Sequence, residues 1–403
     1  MESLAACATA PLPALAQQDL PGMHYTLGMT AVRDDNLFRL PDGVAPNAVG
    51  LDTAARDDLI LVPFVDIDGR WQLSRQQLSA GLRYSEDRYR RNPAYDDRTV
   101  DYRLDWRWAL AQSWDGRLAV DRQQNATSLA DYRGTATNLL TVRALHASAN
   151  LRPRPDRRAT LAFDTYLGEN SLAARRISDY HISTARFELG ASSALAQELW
   201  WSAARTEGRY PNRQIVSWAP IDNSYAQNDA ALNARFAPSD ATSLDLMIGH
   251  AWRRYDEVPQ RDFSGPTGRL ALRWEATAKL TLDAALAEEL GAIDDYDRIY
   301  ATTRSQSLGL TYHASYKVAA TLGATRKRLR DRGDPDNALT RLLGSANLPD
   351  REETRDEWRA SLAWQPSDHL SAVLAWTHFR RDGNQAGLQY DANQQSLSLQ
   401  YQW

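Results

Sequence analysis

The sequence has little of several things that common protein classes require. Its 403 residues contain a single cysteine, Cys7, and no stretch approaches the roughly 18 consecutive apolar residues of a membrane-spanning helix. Lysine is scarce, so arginine carries nearly all of the positive charge, and the formal net charge is -4. A helical membrane protein is therefore excluded, and so is a nucleic-acid-binding protein with a basic field over the whole chain.

The sequence also lacks the residue constellations of catalysis. Its 7 histidines have no metal-ligand spacing, and it contains no HExxH, no GxSxG and no glycine-rich phosphate loop. We therefore predict no catalytic residues, no metal and no cofactor, and we expect that the protein is not an enzyme.

The first residues have the character of a secretory signal. An Ala-rich apolar run ends in ALA at 14–16, followed by Gln17, so we predict a signal peptide over residues 1–16 and a short periplasmic segment over 17–22. The usual basic n-region is missing, which indicates a true start upstream of Met1. The LAAC at 4–7 also resembles a lipoprotein cleavage box, in which Cys7 would carry the lipid. If the signal is removed after residue 16, the mature chain contains no cysteine, which suits passage through an oxidising periplasm.

From residue 23 to 403 the sequence alternates between apolar and polar residues. Leu280, Leu282 and Leu286, for example, alternate with Thr281 and Asp283. This period of two predicts strands whose two faces meet different surroundings. The predicted strands lie near 23–33, 58–68, 76–87, 99–111, 117–127, 139–151, 158–168, 180–192, 198–208, 227–236, 242–254, 268–276, 280–289, 304–314, 317–327, 355–365, 369–380 and 394–403.

The connections between these segments alternate between short and long. The short ones have turn chemistry, as in APSDAT and QPSDH, whereas the long ones are polar and aromatic, as in RRNPAYDDR and RRYDEVPQRDFSG. Outer-membrane barrels show this alternation, with short periplasmic turns and longer external loops. The sequence predicts an all-β protein, a single transmembrane antiparallel up-and-down β-barrel of about 18 strands with both termini periplasmic.

Two segments fit the strand pattern poorly. Arg143 shares its parity with the apolar Leu139 and Leu145, and Pro63 interrupts the segment LILVPFVDI. Proline removes a ladder donor, so we expect that a β-bulge accommodates either position.

The final strand ends in an aromatic residue. In QQSLSLQYQW, Leu397, Leu399, Tyr401 and Trp403 share one face. We predict that this face meets outer-membrane lipid, that Trp403 lies at the periplasmic interface and that the strand closes the barrel against the first one. A terminal aromatic also resembles the signal by which the barrel assembly machinery recognises its substrates.

The charged residues fall on the face opposite to the apolar one. An outward arginine at the bilayer midplane would cost about 2 to 4 kcal/mol, so we predict that these residues point into the lumen. The predicted pore-lining residues are Arg83, Arg103, Asp105, Arg107, Asp121, Arg186, Glu188, Arg235, Asp245, Arg253, Arg269, Arg273, Asp283 and Arg359.

Hairpin register predicts ion pairs among them. A turn centred on Asp240 places Arg235 opposite Asp245, and one centred on Ala278 places Arg273 opposite Asp283. Such pairs either only satisfy a hydrated interior or also help to line a path for a polar solute.

Three stretches resemble a known family. RDDNLFRLPDG at 33–43, DYRLDWRW at 101–108 and ADYRGT at 130–135 are similar to EpsL-type outer-membrane proteins, β-barrels of exopolysaccharide biosynthesis clusters. The resemblance implies export of an exopolysaccharide with the help of periplasmic export components. It brings no residue-level site. The cluster of Asp34, Asp35, Asn36 and Arg39 is explained equally by a loop that turns inward and by a structural turn.

The sequence is compatible with three functions. The first is an export pore in which a polysaccharide passes an Arg/Asp-lined lumen and stacks on Tyr95, Trp200, Trp218 and Tyr225. The second is a general diffusion porin for small hydrophilic solutes. The third is an enzyme that acts on lipid or polymer at the outer surface, and the sequence offers no nucleophile and base constellation for it.

Overall fold

The computed structural model describes residues 22–130, 132–192, 197–212, 224–257, 259–291, 301–331, 350–385 and 387–403. The predicted signal peptide at 1–16 and residues 17–21 lie outside them. Within the described residues, no helix is long and apolar enough to cross a membrane.

The described chain forms 18 antiparallel strands, and each overlaps one of the predicted segments. Short 3-10 helices lie in the loops at Pro46–Val49, Pro93–Tyr95, Ala173–Ser178 and Pro259–Arg261. The strands are β1 Gly22–Asp34, β2 Asp58–Leu73, β3 Gln76–Tyr89, β4 Asp97–Leu110, β5 Trp114–Ala126, β6 Leu139–Arg154, β7 Arg157–Asn170, β8 Tyr180–Ser192, β9 Gln197–Arg209, β10 Tyr225–Ser239, β11 Thr242–Tyr255, β12 Phe263–Thr277, β13 Leu280–Gly291, β14 Ala301–Ser315, β15 Val318–Asp331, β16 Arg351–Trp364, β17 Leu370–Gly383 and β18 Tyr390–Gln402.

Each strand pairs with its two neighbours in sequence, and β1 pairs with β18, so the sheet closes into a barrel. At the seam, Tyr25 and Trp403 exchange backbone hydrogen bonds of 3.1 and 3.0 Å, and their rings stack at 5.9 Å. Closure leaves no unpaired edge, which a bilayer would not tolerate. The predicted fold class is confirmed.

The connections define two ends of the barrel. The even-to-odd connections, such as those between β2 and β3 or β14 and β15, form the short-turn end; the odd-to-even connections, such as β1 to β2, form the long-loop end. In outer-membrane barrels the short turns are periplasmic and the long loops external. β1 begins and β18 ends at the short-turn end. The periplasmic location of the chain termini stays a prediction.

The outward face of the wall is an apolar band. Its exposed side chains are mainly leucine, with tryptophan and tyrosine toward the strand ends, as in Trp114, Tyr401 and Trp364. Such apolar surface is stable only against lipid, and amphipathic rings favour the headgroup region. A closed barrel with this band is a transmembrane β-barrel of the Gram-negative outer membrane.

The two irregular segments contain no bulge, so the expectation of one was wrong. Pro63 interrupts the pairing of β2 with β3 at residues 62–63, but the register is the same on both sides of the gap. Arg143 lies in an unshifted part of β6 and faces outward, where it forms a 2.7 Å ion pair with Glu169. Both residues are at the long-loop end of their strands, beyond the middle of the apolar band.

Candidate channel constriction

The loop between β1 and β2, residues 35–57, folds into the barrel. Phe38 and Leu40 are fully buried, and they pack with Val32 and Val62, which lie on the inward faces of β1 and β2. Val62 lies four residues below the start of β2, so the loop reaches about 13 Å down the wall at ~3.3 Å per residue. Each large apolar side chain buried in this way contributes about 1.5 to 3 kcal/mol. The loop therefore occupies part of the lumen.

A polar network sets the direction of this loop. Arg39 forms a 2.8 Å ion pair with Asp34. The amide of Asn36 donates to the Leu40 carbonyl at 2.8 Å, and the Leu40 backbone N–H donates back to Asn36 Oδ1 at 3.0 Å. Across the seam, Gln394 Nε2 donates to Asp34 Oδ2 at 2.6 Å. The sequence left two explanations for this cluster, a structural turn and a loop that turns inward. Both apply, because the turn at 34–40 directs the loop into the barrel.

Arg39 occupies the left-handed region of backbone conformation, with φ 52°. Its guanidinium lies 5.4 Å from the ring centre of Phe379 on the inward face of β17. A non-glycine residue at positive φ is strained, so side-chain contacts must hold it. The ion pair to Asp34 and the ring of Phe379 supply them.

The loop between β5 and β6 holds the inward loop in place through hydrogen bonds at the long-loop end of the barrel. Arg133 donates from Nε to the Phe38 carbonyl at 3.1 Å and from Nη2 to the Arg39 carbonyl at 2.8 Å. Neither contact is predictable from strand parity, because both partners lie in loops. The constriction is thus a joint structure of two loops distant in sequence.

Tyr95, in the loop between β3 and β4, is part of the same structure. Only 5% of its surface is exposed, its ring packs edge-on to Phe38 at 5.5 Å, and its hydroxyl donates to the Gly134 carbonyl. Burial raises the pKa of the Tyr95 phenol, which keeps the hydroxyl protonated and able to donate. No sugar ring can stack on Tyr95 in this arrangement.

Asp58 anchors the Tyr95 loop to the wall. Its carboxylate accepts hydrogen bonds from the backbone N–H groups of Arg91 and Asn92 at 3.0 and 3.1 Å, and from the Asn92 amide at 2.8 Å. A buried carboxylate that accepts three N–H bonds is well satisfied, so the 90–96 segment is fixed at the start of β2.

Between the inward loop and the wall of β2 to β5 lies a chamber, a cavity of about 210 Å³. Its lining combines carboxylates, the two guanidiniums of Arg39 and Arg83, hydroxyls and amides. On β3 to β5 its polar side chains include Arg83, Ser85, Asp87, Asp97, Asp101 and Gln124.

The chamber carries an excess of negative charge. Arg83 is committed to Asp66 by two hydrogen bonds of 3.1 and 3.2 Å, and its guanidinium stacks on Phe64 at 4.1 Å. Asp87 and Asp97 lie directly opposite each other on β3 and β4. Among the described residues neither has an ion-pair partner, and Asp97 Oδ2 is buried without a hydrogen bond. Two opposed carboxylates repel each other, so a proton or another cation is stabilised between them.

The lumen wall formed by β10 to β13, across the barrel from the chamber, is lined with paired charges. The register places Arg235 opposite Asp245, with a 2.6 Å ion pair, and Arg273 opposite Asp283, with a 3.6 Å pair. Both predicted pairs are confirmed. Their side chains are about half exposed, so each pair contributes about 0 to 1 kcal/mol and mainly keeps the lumen hydrated.

Asp105 gathers three guanidiniums. It is 3% exposed and lies 3.0 Å from Arg103, 3.5 Å from Arg107 and 2.5 Å from Arg117. Three positive groups around one carboxylate give this part of the wall a positive surface below the acidic chamber. On β3 and β4 the acidic chamber therefore lies above an arginine-rich part of the wall.

The structure shows two polar clusters that the sequence reasoning did not single out. His146 on β6 lies between Asp164, at 2.6 Å from Nδ1, and Asp121, at 3.2 Å from Nε2. In the sequence, the only indication of this cluster was that Asp121, His146 and Asp164 all have the parity of the inward face of their strands.

The second cluster surrounds Glu353, which is 3% exposed at the long-loop end of β16. It contacts Arg381 and Arg355 at 2.6 Å each and Arg351 at 3.7 Å. Residues 351, 353 and 355 share one face of the strand, but parity gave no indication that one carboxylate would hold three arginines.

All of the predicted pore-lining residues lie on the face opposite the exposed leucines and tryptophans. Their part in permeation stays a proposal. The remaining members on this face, besides those described above, are Arg186, Glu188, Arg253, Arg269 and Arg359.

The aromatic residues proposed to stack on sugars differ in their exposure to the lumen. Trp200 faces the lumen, half-buried, beside Gly190. Tyr225 is 8% exposed, since its ring lies over Gly208 and is covered by the Arg253 guanidinium at 4.4 Å. Trp218 lies outside the described residues. With Tyr95 buried as well, only Trp200 of the described three presents surface to the lumen.

Within the part of the chain that the structure describes, no three His, Cys, Asp or Glu side chains form a group able to hold a metal ion. The Asp87 and Asp97 pair is thus a two-carboxylate feature.

No protein-family model matches the sequence, and no curated protein matches it significantly. Several solved outer-membrane proteins are similar in structure. OpdK of Pseudomonas aeruginosa has a TM-score of 0.48 and 10% identity, over 94% of this chain and 99% of its own. OccAB3 of Acinetobacter baumannii has 0.48 and 10%, over 95% and 98%.

The siderophore receptor PirA of Acinetobacter baumannii also has 0.48 and 10%, over 95% of this chain and 81% of its own. These values are low, so the architecture of the barrel rests on its own strand pairing, and these likenesses confirm neither the exopolysaccharide family nor any other.

Proposed function

We propose that the protein is a passive outer-membrane channel for small hydrophilic solutes. The observation that carries this proposal is the inward loop 35–57, packed through Phe38 and Leu40 inside a charged, polar lumen. A barrel of this strand number leaves an aqueous channel unless something narrows it. Here a fixed loop does so at the long-loop end, which suits selection by size.

The acidic chamber gives this channel a preference for cations. Asp87 and Asp97 face the space beside the inward loop, where the two lining guanidiniums, Arg39 and Arg83, are already paired with Asp34 and Asp66. At the narrow level, fixed charges act over short distances and through less water than in the wide lumen. Small cations and ammonium-bearing solutes therefore pass more readily than anions.

Export of an exopolysaccharide, which the family resemblance implies, receives less support from this geometry. A polymer would have to displace a loop held by the Asp34–Arg39 ion pair and by Arg133. Of the described aromatic residues proposed to stack on sugars, Tyr95 and Tyr225 are already covered by protein.

Planar-bilayer recording of the purified protein tests the proposal. We expect a steady single-channel conductance in KCl. In a KCl gradient, we expect the reversal potential to have the sign that indicates a preference for K⁺ over Cl⁻. Two results together would contradict the diffusion channel and favour the exporter. The purified barrel would show no conductance, and a deletion strain would stop secreting polysaccharide while polymer accumulates in its periplasm.

A further inference from the structure

A group of arginines lies on the outward face of four adjacent strands, outside the lumen. Arg88 on β3, Arg98 on β4, Arg122 on β5 and Arg143 on β6 all share the parity of the exposed lipid-facing residues of their strands. We call these four residues the outward arginine cluster. None of them can serve the channel directly, because the barrel wall separates them from the lumen.

The outward arginine cluster lies at the edge of the apolar band. On β5 the outward residues run from Trp114 through Leu118 and Val120 to Arg122. Eight residues at ~3.3 Å, reduced by a strand tilt of about 40°, span about 20 Å, close to the height of a lipid-facing band. Arg122 therefore lies at headgroup level on the long-loop side, which is the outer leaflet.

The cluster has more positive than negative charge. Arg88 and Arg98 share one carboxylate, Glu86, at 2.5 and 3.3 Å, and that carboxylate also accepts from the Tyr84 hydroxyl. Arg143 pairs with Glu169. The side chains of Arg88 and Arg98 are 63% and 74% exposed.

Among the described residues Arg122 forms no ion pair with a carboxylate, and Asp101 acts on it only from the inward face of the neighbouring strand β4. The Arg122 guanidinium donates to the Val100 carbonyl, a neutral acceptor that does not cancel its charge. In the register of β5 with β6 it lies directly opposite Arg143. Like charges in this position destabilise a sheet, so an anion between the two guanidiniums would convert a repulsion into an attraction.

One arginine on the opposite side of the barrel shows a contrast at the same height. Arg326 on β15 also faces outward, eight residues from Val318 at the short-turn end, but it is bound to Asp356 by two hydrogen bonds of 2.6 and 3.0 Å. An arginine at headgroup level can thus be neutralised by the protein itself. Arg122 is not.

We propose that the outward arginine cluster binds a phosphate group of an outer-leaflet glycolipid. The guanidinium fork matches phosphate oxygens in two parallel hydrogen bonds and is weakly hydrated, so it suits an interfacial site. The ligand is a lipid headgroup because the cluster continues the lipid-facing surface directly. The acyl chains of the same molecule then lie on Leu118, Val120 and Leu145.

Native mass spectrometry of the purified barrel with lipid A tests this proposal. The variants are R122Q/R143Q and, as a matched control at the same height, R326Q. Dephosphorylated lipid A serves as the ligand control. We expect the double variant to bind lipid A at least about ten times more weakly, while R326Q binds as the wild type does. Heat-modified migration on gels verifies that each variant is folded.

Two results would overturn the proposal. One is equal binding of lipid A and dephosphorylated lipid A by the wild type, which would leave only acyl-chain contacts. The other is an R122Q/R143Q protein that is folded and binds lipid A as tightly as R326Q does. Channel conductance is measured on the same samples, and we expect it to be unchanged, so failure here is distinguishable from failure of the channel function.

Discussion

The guanidinium of Arg133 donates to the carbonyl oxygen of Phe38 at 3.1 Å. This bond joins the β5–β6 loop to the inward loop, and Arg39 accepts a second one from the same guanidinium at 2.8 Å. Phe38 is fully buried inside the barrel. The position of the constriction therefore depends on a side chain that lies 95 residues away in sequence.

Replacement of Arg133 by alanine removes these bonds and loosens the inward loop. With each hydrogen bond worth about 0.5 to 1.5 kcal/mol, the loop is expected to leave its place often enough to produce brief large openings. Single-channel recording measures them. Arg152→Ala, at the short-turn end of β6, is the control, and equal current noise in both variants would contradict the role of Arg133.

Replacement of Phe38 by alanine creates a cavity under the inward loop. Such a change costs about 3 to 5 kcal/mol where the surroundings do not collapse, and here the cost falls on loop docking rather than on strand pairing. We expect faster tryptic cleavage within 35–57, where Arg39 and Arg56 lie, at an unchanged unfolding transition of the barrel. Val49→Ala is the control, because Val49 is on the same loop and 45% exposed. Cleavage of F38A at the V49A rate would refute the anchoring role of Phe38.

Neutralisation of the chamber is expected to reduce the cation preference. The variant D87N/D97N keeps the shape of both side chains and removes two carboxylates that oppose each other. The reversal potential in a KCl gradient is expected to shift toward zero. Asp382→Asn, on the outward face of β17, is the control with the same charge change per residue. An unshifted potential in D87N/D97N would show that the chamber does not set ion selectivity.

The assignment of the two faces of the wall is tested by arginine substitution at neighbouring positions. Leu322 lies midway along the outward face of β15 and is 56% exposed, whereas Thr321 faces inward. Leu322→Arg is expected to lower the free energy of unfolding in bilayers by about 2 to 4 kcal/mol, and Thr321→Arg by much less. Urea titration of the refolded barrel measures both values. Equal losses would mean that the faces are assigned wrongly.

The sequence alone predicted the elements that repeat. Alternation of apolar and polar residues located all 18 strands, and turn positions gave the Arg235–Asp245 and Arg273–Asp283 pairs. These features depend only on local periodicity and hairpin geometry, which a single chain displays directly.

What the sequence did not predict depends on contacts between distant segments. Parity places Asp121, His146 and Asp164 on one face, but it does not give the distances among them. The burial of Tyr95 requires the Phe38 loop above it, and that of Tyr225 requires the close approach of Gly208 and the Arg253 guanidinium. Loops have no periodic pattern of apolar residues that would predict their course. From the sequence, the residues at 34–39 were therefore explained equally by an inward loop and by a structural turn.

The most direct test of a channel narrowed by a fixed loop is the uptake of neutral sugars of increasing size into liposomes that contain the protein. Wild-type protein is compared with a variant in which residues 37–55 are replaced by a short Gly-Ser linker. We expect wild-type uptake to fall steeply from monosaccharide to tetrasaccharide, and the shortened variant to admit the larger sugars at rates closer to that of the monosaccharide. The same dependence of uptake on sugar size in both proteins, or free passage of long polysaccharide through the wild type, would contradict a channel narrowed by a fixed loop.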